Sequence, residues 1–322
     1  MKKMINTEHV EGRVYQHNLV LKTVQNTASA NHGKEFISGN LEIATDEAGL
    51  NIVPVHFTYV TETTSNGNTN QTYTNLKKII EGGKTWITDG KDGAMKVKVD
   101  TALALNDFYT SQDDRLVSTK VNEGGFVTII SGELCPEQER NTFSADMVIT
   151  SANRIEADPE KNIEKDYVVV KGAVFNFRND LLPVDFIVRT PDGMTYFEDL
   201  GASQNEPVFT KVWGRITCNS ITTERKEETA FGEESVRTFE RKVKEWLITG
   251  TSKVPYEFGE EGVLTVEELK KAAQDREVRL ADIKKRRDEY AATKATATTT
   301  VATSAPAPAA TVTATATKTF NF

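Results

Sequence analysis

Pro207-Val208-Phe209-Thr210-Lys211-Val212-Trp213-Gly214-Arg215-Ile216-Thr217-Cys218 is the stretch on which the reading of this chain turns. Side chains alternate along a β-strand. Val208, Val212 and Ile216 therefore fall on one face, and Phe209, Lys211, Trp213 and Arg215 on the other. One face suits a core; the other interleaves aromatic rings with cations. A following strand candidate, residues 236–249, repeats the theme, with Lys242, Lys244 and Trp246 on one face and Arg237, Phe239 and Arg241 on the other. Rings and cations on an open sheet suit single-stranded nucleic acid, because bases stack on the rings while cations meet phosphates. The pattern admits a second reading. Phe209 and Trp213 could pack under neighbouring segments while Lys211 and Arg215 snorkel outward, and Leu247 competes with Trp246 for the core face.

Working outward, residues 167–177 and 182–189 are rich in β-branched and aromatic residues and read as strands. Thr190-Pro191-Asp192-Gly193 reads as a turn, because proline presets φ and glycine accepts a positive φ. Residues 194–200, 208–218 and 236–249 complete five strands, with an acidic loop over 222–234. Five strands with an open polar face fit an OB-fold, as they would other small barrels. Phe175 and Phe177, followed by Arg178, read as core plus edge.

Upstream, strand signals occupy residues 13–22, 35–45 and 51–61, the last two flanking the hairpin signal Asp46-Glu47-Ala48-Gly49. Residues 73–81 carry Leu76, Ile79 and Ile80 at helical spacing, stopped by Gly82-Gly83. Strands resume over 94–105, over 116–121 paired with 126–130 across a turn at 122–125, and over 143–155. Phe57, Tyr59, Trp86, Lys96 and Lys98 could form a second basic and aromatic surface, but Phe57 shares a face with Val53 and Val55 and reads as core. No internal repeat points to a solenoid.

The expected organisation is mainly β: an OB-like unit with insertions over 1–157, a second OB-like unit over 158–262, a helix over 263–290 and a disordered Ala/Thr/Pro tail over 291–322. Thr265-Val266-Glu267-Glu268 opens the helix as a capping box. Its apolar stripe, Val266, Leu269, Ala273, Leu280, Ile283 and Tyr290, is interrupted by Arg276 and Arg287. The tail has too few apolar residues to offset its ordering entropy, and it ends in Phe320-Asn321-Phe322.

Composition narrows the function. With 39 basic against 47 acidic residues the net charge is −8. This argues against coating nucleic acid with the whole surface but leaves room for a local basic groove. No eighteen-residue apolar run offers a membrane span, and no apolar segment follows the basic start, so the expected location is the cytoplasm, that of a host cell if the protein is viral. Cys135 and Cys218 are too few for a disulfide framework. His9, His17, His32 and His56 lack HxH or HExxH spacing and read as ordinary residues, so no metal or other cofactor is expected. Gly82-Gly83-Lys84-Thr85 lacks the first glycine of a P-loop, and Asp89-Gly90-Lys91-Asp92-Gly93 lacks the ligands of a calcium loop. No nucleophile motif or dinucleotide fingerprint supports catalysis. The expectation is a binding protein and not an enzyme.

Two segments, Asp166-Tyr167-Val168-Val169-Val170-Lys171-Gly172-Ala173-Val174-Phe175-Asn176 and Pro207 to Ile216, resemble single-stranded DNA-binding proteins of bacteriophages. The resemblance implies an OB-fold and sequence-tolerant capture of single-stranded DNA in phage replication or recombination. It implies binding through Phe209, Lys211, Trp213, Arg215, Lys242, Lys244 and Trp246. In bacterial proteins of this kind a flexible linker ends in an acidic tip with a terminal phenylalanine that recruits replication partners. Here Phe322 and the linker are similar, but no acidic residue follows Glu289 and Lys318 sits near the tip. The competing function is a β-rich structural protein of a phage particle.

Overall fold

The computed structural model describes residues 4–158, 163–227 and 235–302, without the side chains of 219–242 and 294–302. Eleven strands form one sheet: β1 (Asn6–His17), β2 (Val20–Thr23), β3 (Glu35–Ala44), β4 (Ile52–Thr61), β5 (Lys96–Tyr109), β6 (Leu116–Ile130), β7 (Asn141–Ile155), β8 (Tyr167–Phe175), β9 (Leu181–Val188), β10 (Val208–Glu227) and β11 (Ser235–Thr251). Their order is β10-β11-β9-β8-β7-β1-β5-β6-β4-β3-β2, with further pairings β10–β7 and β1–β3. The helices are α1 (Gln71–Gly82), α2 (Trp86–Gly93), α3 (Pro191–Asp199) and α4 (Val266–Ala302).

This corrects the expected fold class. The two separate OB-like barrels of a mainly β chain are replaced by one large mixed sheet with helices, and two of its pairings are parallel, β4 with β6 and β9 with β11. The apolar core follows the sheet. Val10, Val97, Met147, Phe186, Val212 and Trp246 belong to one buried cluster.

Three local expectations also change. Of the strand expected over 194–200, residues 194–199 are helical and Leu200 is the C-cap: Pro191 sits at the start of α3, where its missing N–H costs nothing, and Met194 and Phe197 are its buried residues, three apart on one side. The turn expected at 122–125 lies inside continuous β6, which pairs with β5 along its length. Gly124 is needed there for clearance, since a Cβ would lie 2.2 Å from the Phe57 ring. Of the loop expected over 222–234, residues 222–227 are strand, the next strand begins at Ser235, and residues 228–234 lie outside the described residues.

Helix α4 begins at the capping box read from sequence, with Glu268 N–H donating to Thr265 Oγ1 (3.1 Å) and Thr265 N–H to Glu268 Oε2 (3.0 Å). The two arginines that broke its apolar stripe are its docking groups. Arg276 is buried and bidentate on Asp107 of β5 (3.0 and 3.1 Å), and Arg287 pairs with Asp114 (2.7 Å) and donates to Thr110 O. Arg279 reaches Asp180 in the β8–β9 connection (3.0 Å), so α4 ties the β5–β6 hairpin to that connection. The helix is described to Ala302, beyond the expected end at 290; residues 303–322, with the aromatic tip, lie outside the described residues. No helix among the described residues is long and apolar enough to cross a membrane.

Candidate nucleic-acid interface

Strand β10 is the centre of the candidate site, and its alternation holds in part. Val212 and Ile216 are fully buried on one face. On the other face the four expected residues separate. Phe209 is only 2% exposed, covered by Tyr256 (ring centroids 4.9 Å apart) and Phe258 (5.8 Å) from the segment leading into α4. That placement takes Phe209 off the open surface, and the cause is a covering segment that strand periodicity cannot reveal. Trp213, four residues on, is 41% exposed.

Its indole lies against Gly250, its cross-strand partner in β11. A Cβ at Gly250 would fall 2.5 Å from Trp213 Nε1 and 2.6 Å from Cε2. One side of the ring is thus seated on bare backbone, and the residue keeps substantial exposed area. Lys211 and Arg215 flank it, both half-buried. The Lys211 ammonium has no hydrogen-bond or ion-pair partner among the described residues. Arg215 is oriented by Asn141 Oδ1 (3.1 and 3.3 Å) and by the Glu137 carbonyl (3.3 Å).

The strand register carries this face across the sheet. Arg215 pairs with Thr142 in β7, Thr142 with His9 in β1, His9 with Asp100 in β5, and Asp100 with Phe126 in β6. Directly paired residues of antiparallel strands project to one side. Arg215, Thr142, His9, Asp100 and Phe126 therefore form a row across five strands, with Trp213, Ser144 and Thr7 beside it. At ~4.8 Å per strand step the row spans about 19 Å along the sheet. Phe126 is 75% exposed and Phe177 72% exposed, and both line an open groove of about 690 Å³ with Thr7, His9, Thr142 and Ser144. The groove itself is acidic, since Asp100, Glu123 and the buried Glu8 line it with no lysine or arginine among the described lining residues; the cations Lys211 and Arg215 stand beside it on β10. Sequence reading gives no sign of Phe126 as a site residue, placing it at the start of a strand after the expected turn, and takes Phe175 and Phe177 as core plus edge.

The β11 residues divide differently. Trp246 is buried (1% exposed), its indole N–H donating to Glu8 Oε1 (2.7 Å) with Lys120 (5.1 Å) and Lys244 (5.7 Å) over its ring. A ring enclosed in this way is a core element, which corrects its assignment as a stacking platform. Burial holds the Lys244 ammonium below the usual lysine range. The Lys242 side chain lies outside the described residues. Glu8 itself is buried and accepts a second hydrogen bond from Thr101 Oγ1 (2.5 Å). Desolvation nevertheless pushes its pKa up to about 7.

A sequence-family profile described as YorF matches residues 5–286. No curated protein sequence matches the chain. Among solved structures, the fold is distantly similar to two of the single-stranded DNA-binding protein from Thermus aquaticus. One is a deletion mutant, with a TM-score of 0.46, and the other is the wild type, with 0.43. Each is 12% identical and covers 80% of this chain and 98% of the other.

Proposed function

The chain belongs to the YorF family, and from the face just described we propose that it is a sequence-tolerant binder of single-stranded DNA. The observation that carries this reading is Trp213: an indole seated on Gly250, 41% exposed, between Lys211 and Arg215, and paired in register with Ser144, which lines the groove that also presents Phe126 and Phe177. Exposed rings give bases a stacking surface that does not discriminate sequence, and the two cations beside the indole supply phosphate contacts. Phe209 and Trp246 drop out of the stacking set and become supports, one under the segment before α4 and one beneath the lysines of the opposite face.

On this reading the protein holds single strands during phage replication or recombination in the host cytoplasm, with the tail beyond Ala302 as the contact for partner proteins. What supports that extension is the phage-type resemblance of residues 166–176 and 207–216. The role is one of binding and not of catalysis.

The test is a titration of labelled oligo(dT) at two salt concentrations, with unfolding measured on the same samples. Trp213→Ala is expected to weaken binding by about 1–3 kcal/mol, the range for one stacked base. Phe126→Ala is expected to fall in the same range. Failure of the wild-type chain to bind oligo(dT) would sink the proposal. So would a Trp213→Ala variant that loses stability while its affinity per folded molecule is unchanged.

A further inference from the structure

His9 and Glu11 stand two residues apart in β1 and so share a face, and Cys135 comes to them from the connection between β6 and β7. One donor atom of each, the imidazole nitrogen, a carboxylate oxygen and the thiol sulfur, all lie within 4.8 Å of one another. His9 Nε2 is 3.5 Å from Glu11 Oε2. Bonds of ~2.0–2.3 Å at tetrahedral angles place neighbouring zinc ligands ~3.3–3.8 Å apart. The observed His9–Glu11 spacing falls inside that range, and no two of the three donor atoms are more than 4.8 Å apart.

The surroundings fix these groups. His9 Nδ1 is 3.4 Å from Asp100 Oδ1. A carboxylate on one ring nitrogen sets the tautomer and turns the lone pair of the other nitrogen outward, which is the arrangement found behind metal-ligating histidines. Here that other nitrogen, Nε2, faces Glu11. Glu11 Oε1 accepts the Cys135 backbone N–H (2.5 Å), and Arg140 Nε donates to the Cys135 carbonyl (2.7 Å), so the loop bearing the thiol is held at both its polar groups. Glu11 is buried, and His9 and Cys135 are half-buried.

We propose that His9, Glu11 and Cys135 form a binding site for a zinc ion, with a fourth position left for water or an exogenous ligand. The mixed nitrogen, oxygen and sulfur set suits borderline-soft Zn²⁺ better than Mg²⁺ or Ca²⁺, which take oxygen alone. A neutral imidazole, a carboxylate and a thiolate together also neutralise a divalent ion. His9 belongs as well to the row on the groove face, so the ion lies at the groove's margin. The proposal does not depend on the DNA-binding reading, and the two can fail separately.

Cobalt(II) is the probe, because a thiolate ligand gives it a charge-transfer band in the near ultraviolet. The chelator-treated full chain is expected to take up one Co²⁺ with such a band, and Zn²⁺ is expected to displace it. Cys135→Ser removes the band, whereas Cys218→Ser keeps it. Asp100→Asn keeps the band but weakens Co²⁺ affinity by about 10–100-fold, the effect of losing an orienting carboxylate. A folded wild-type chain with no thiolate band overturns the proposal, as does a band that survives Cys135→Ser. If Cys135→Ser does not fold, His9→Gln decides: unchanged Co²⁺ affinity in that variant also overturns it.

Discussion

Glu8 offers a perturbation whose size can be worked from the structure. Its carboxyl is buried with Trp246 Nε1 and Thr101 Oγ1 donating to its two oxygens. Desolvation raises its pKa from 4.5 to about 7, the largest influence, while the two hydrogen bonds and the Lys244 charge act in the opposite direction. An acid whose pKa is raised on folding adds stability that is fully present below its unfolded value and is lost as pH rises through its folded value. The window therefore runs from 4.5 up to about 7. The rise of about 2.5 pH units, at ~1.36 kcal/mol each, makes the loss about 3 kcal/mol. Glu8→Gln keeps the shape and an oxygen for the Trp246 N–H but cannot ionise. Urea unfolding of both chains from about pH 4 to about pH 9 should give a difference that grows with pH, the variant ending the more stable by up to about 3 kcal/mol. Other groups titrate in the same range, but they do so in both proteins and drop out of the difference. Parallel stability curves for the two chains would refute the argument, because they would mean that Glu8 ionises as freely folded as unfolded.

Gly250→Val should displace the Trp213 indole, since even a Cβ would lie 2.5 Å from it, and oligo(dT) affinity should fall with the rest of the proposed binding face intact. An affinity equal to wild type would show that the ring's seat is irrelevant to binding. With Lys211 and Arg215 as the two phosphate contacts, the slope of log affinity against log salt should be shallow, about −1.4 for a single strand, and shallower by ~0.7 in Lys211→Ala. Arg276→Ala leaves the nearly buried Asp107 carboxylate without its cationic partner, with only Ser118 Oγ among the described residues still donating to it (2.6 Å), and should cost about 3–5 kcal/mol in denaturant unfolding; a loss under about 1 kcal/mol would place α4's anchorage elsewhere. Trp246→Ala should cost roughly 3–5 kcal/mol of stability, as truncation of an enclosed core ring does. A melting curve like the wild type's would return Trp246 to the surface.

The cations of β10 bear on how an acidic chain can be read as a binder of an anionic polymer. The net charge of −8 is spread over the whole molecule. Many of the cations described are committed to internal work, as with Arg276, Arg279, Lys284 and Arg287 of α4 on Asp107, Asp180 and Asp114. What distinguishes Lys211 is that it remains unpaired among the described residues, beside an exposed indole. Local placement, and not the total, sets the field a ligand meets.

Local chemistry was enough to find most strands, helix α1, the capping box of α4 and the alternation that buries Val212 and Ile216, because each depends on residues within a few positions of one another. The same alternation identified Trp213 as facing away from Val212, but it could not say that Phe209, on that same face, would be covered by Tyr256 and Phe258 nearly fifty residues later. It misjudged residues 194–200, where two apolar residues three apart gain more from a helical packing surface than from a strand. It reads Gly124-Gly125 as a turn, whereas Gly124 keeps β6 clear of the Phe57 ring and Gly125 clear of the Asp100 carbonyl. The union of the strands into one mixed sheet, the row from Arg215 to Phe126, and the meeting of His9, Glu11 and Cys135 all rest on pairings between residues far apart in the chain. Periodicity fixes which way a side chain faces relative to its own strand; only the tertiary register decides which strand lies beside it and what segment then covers it.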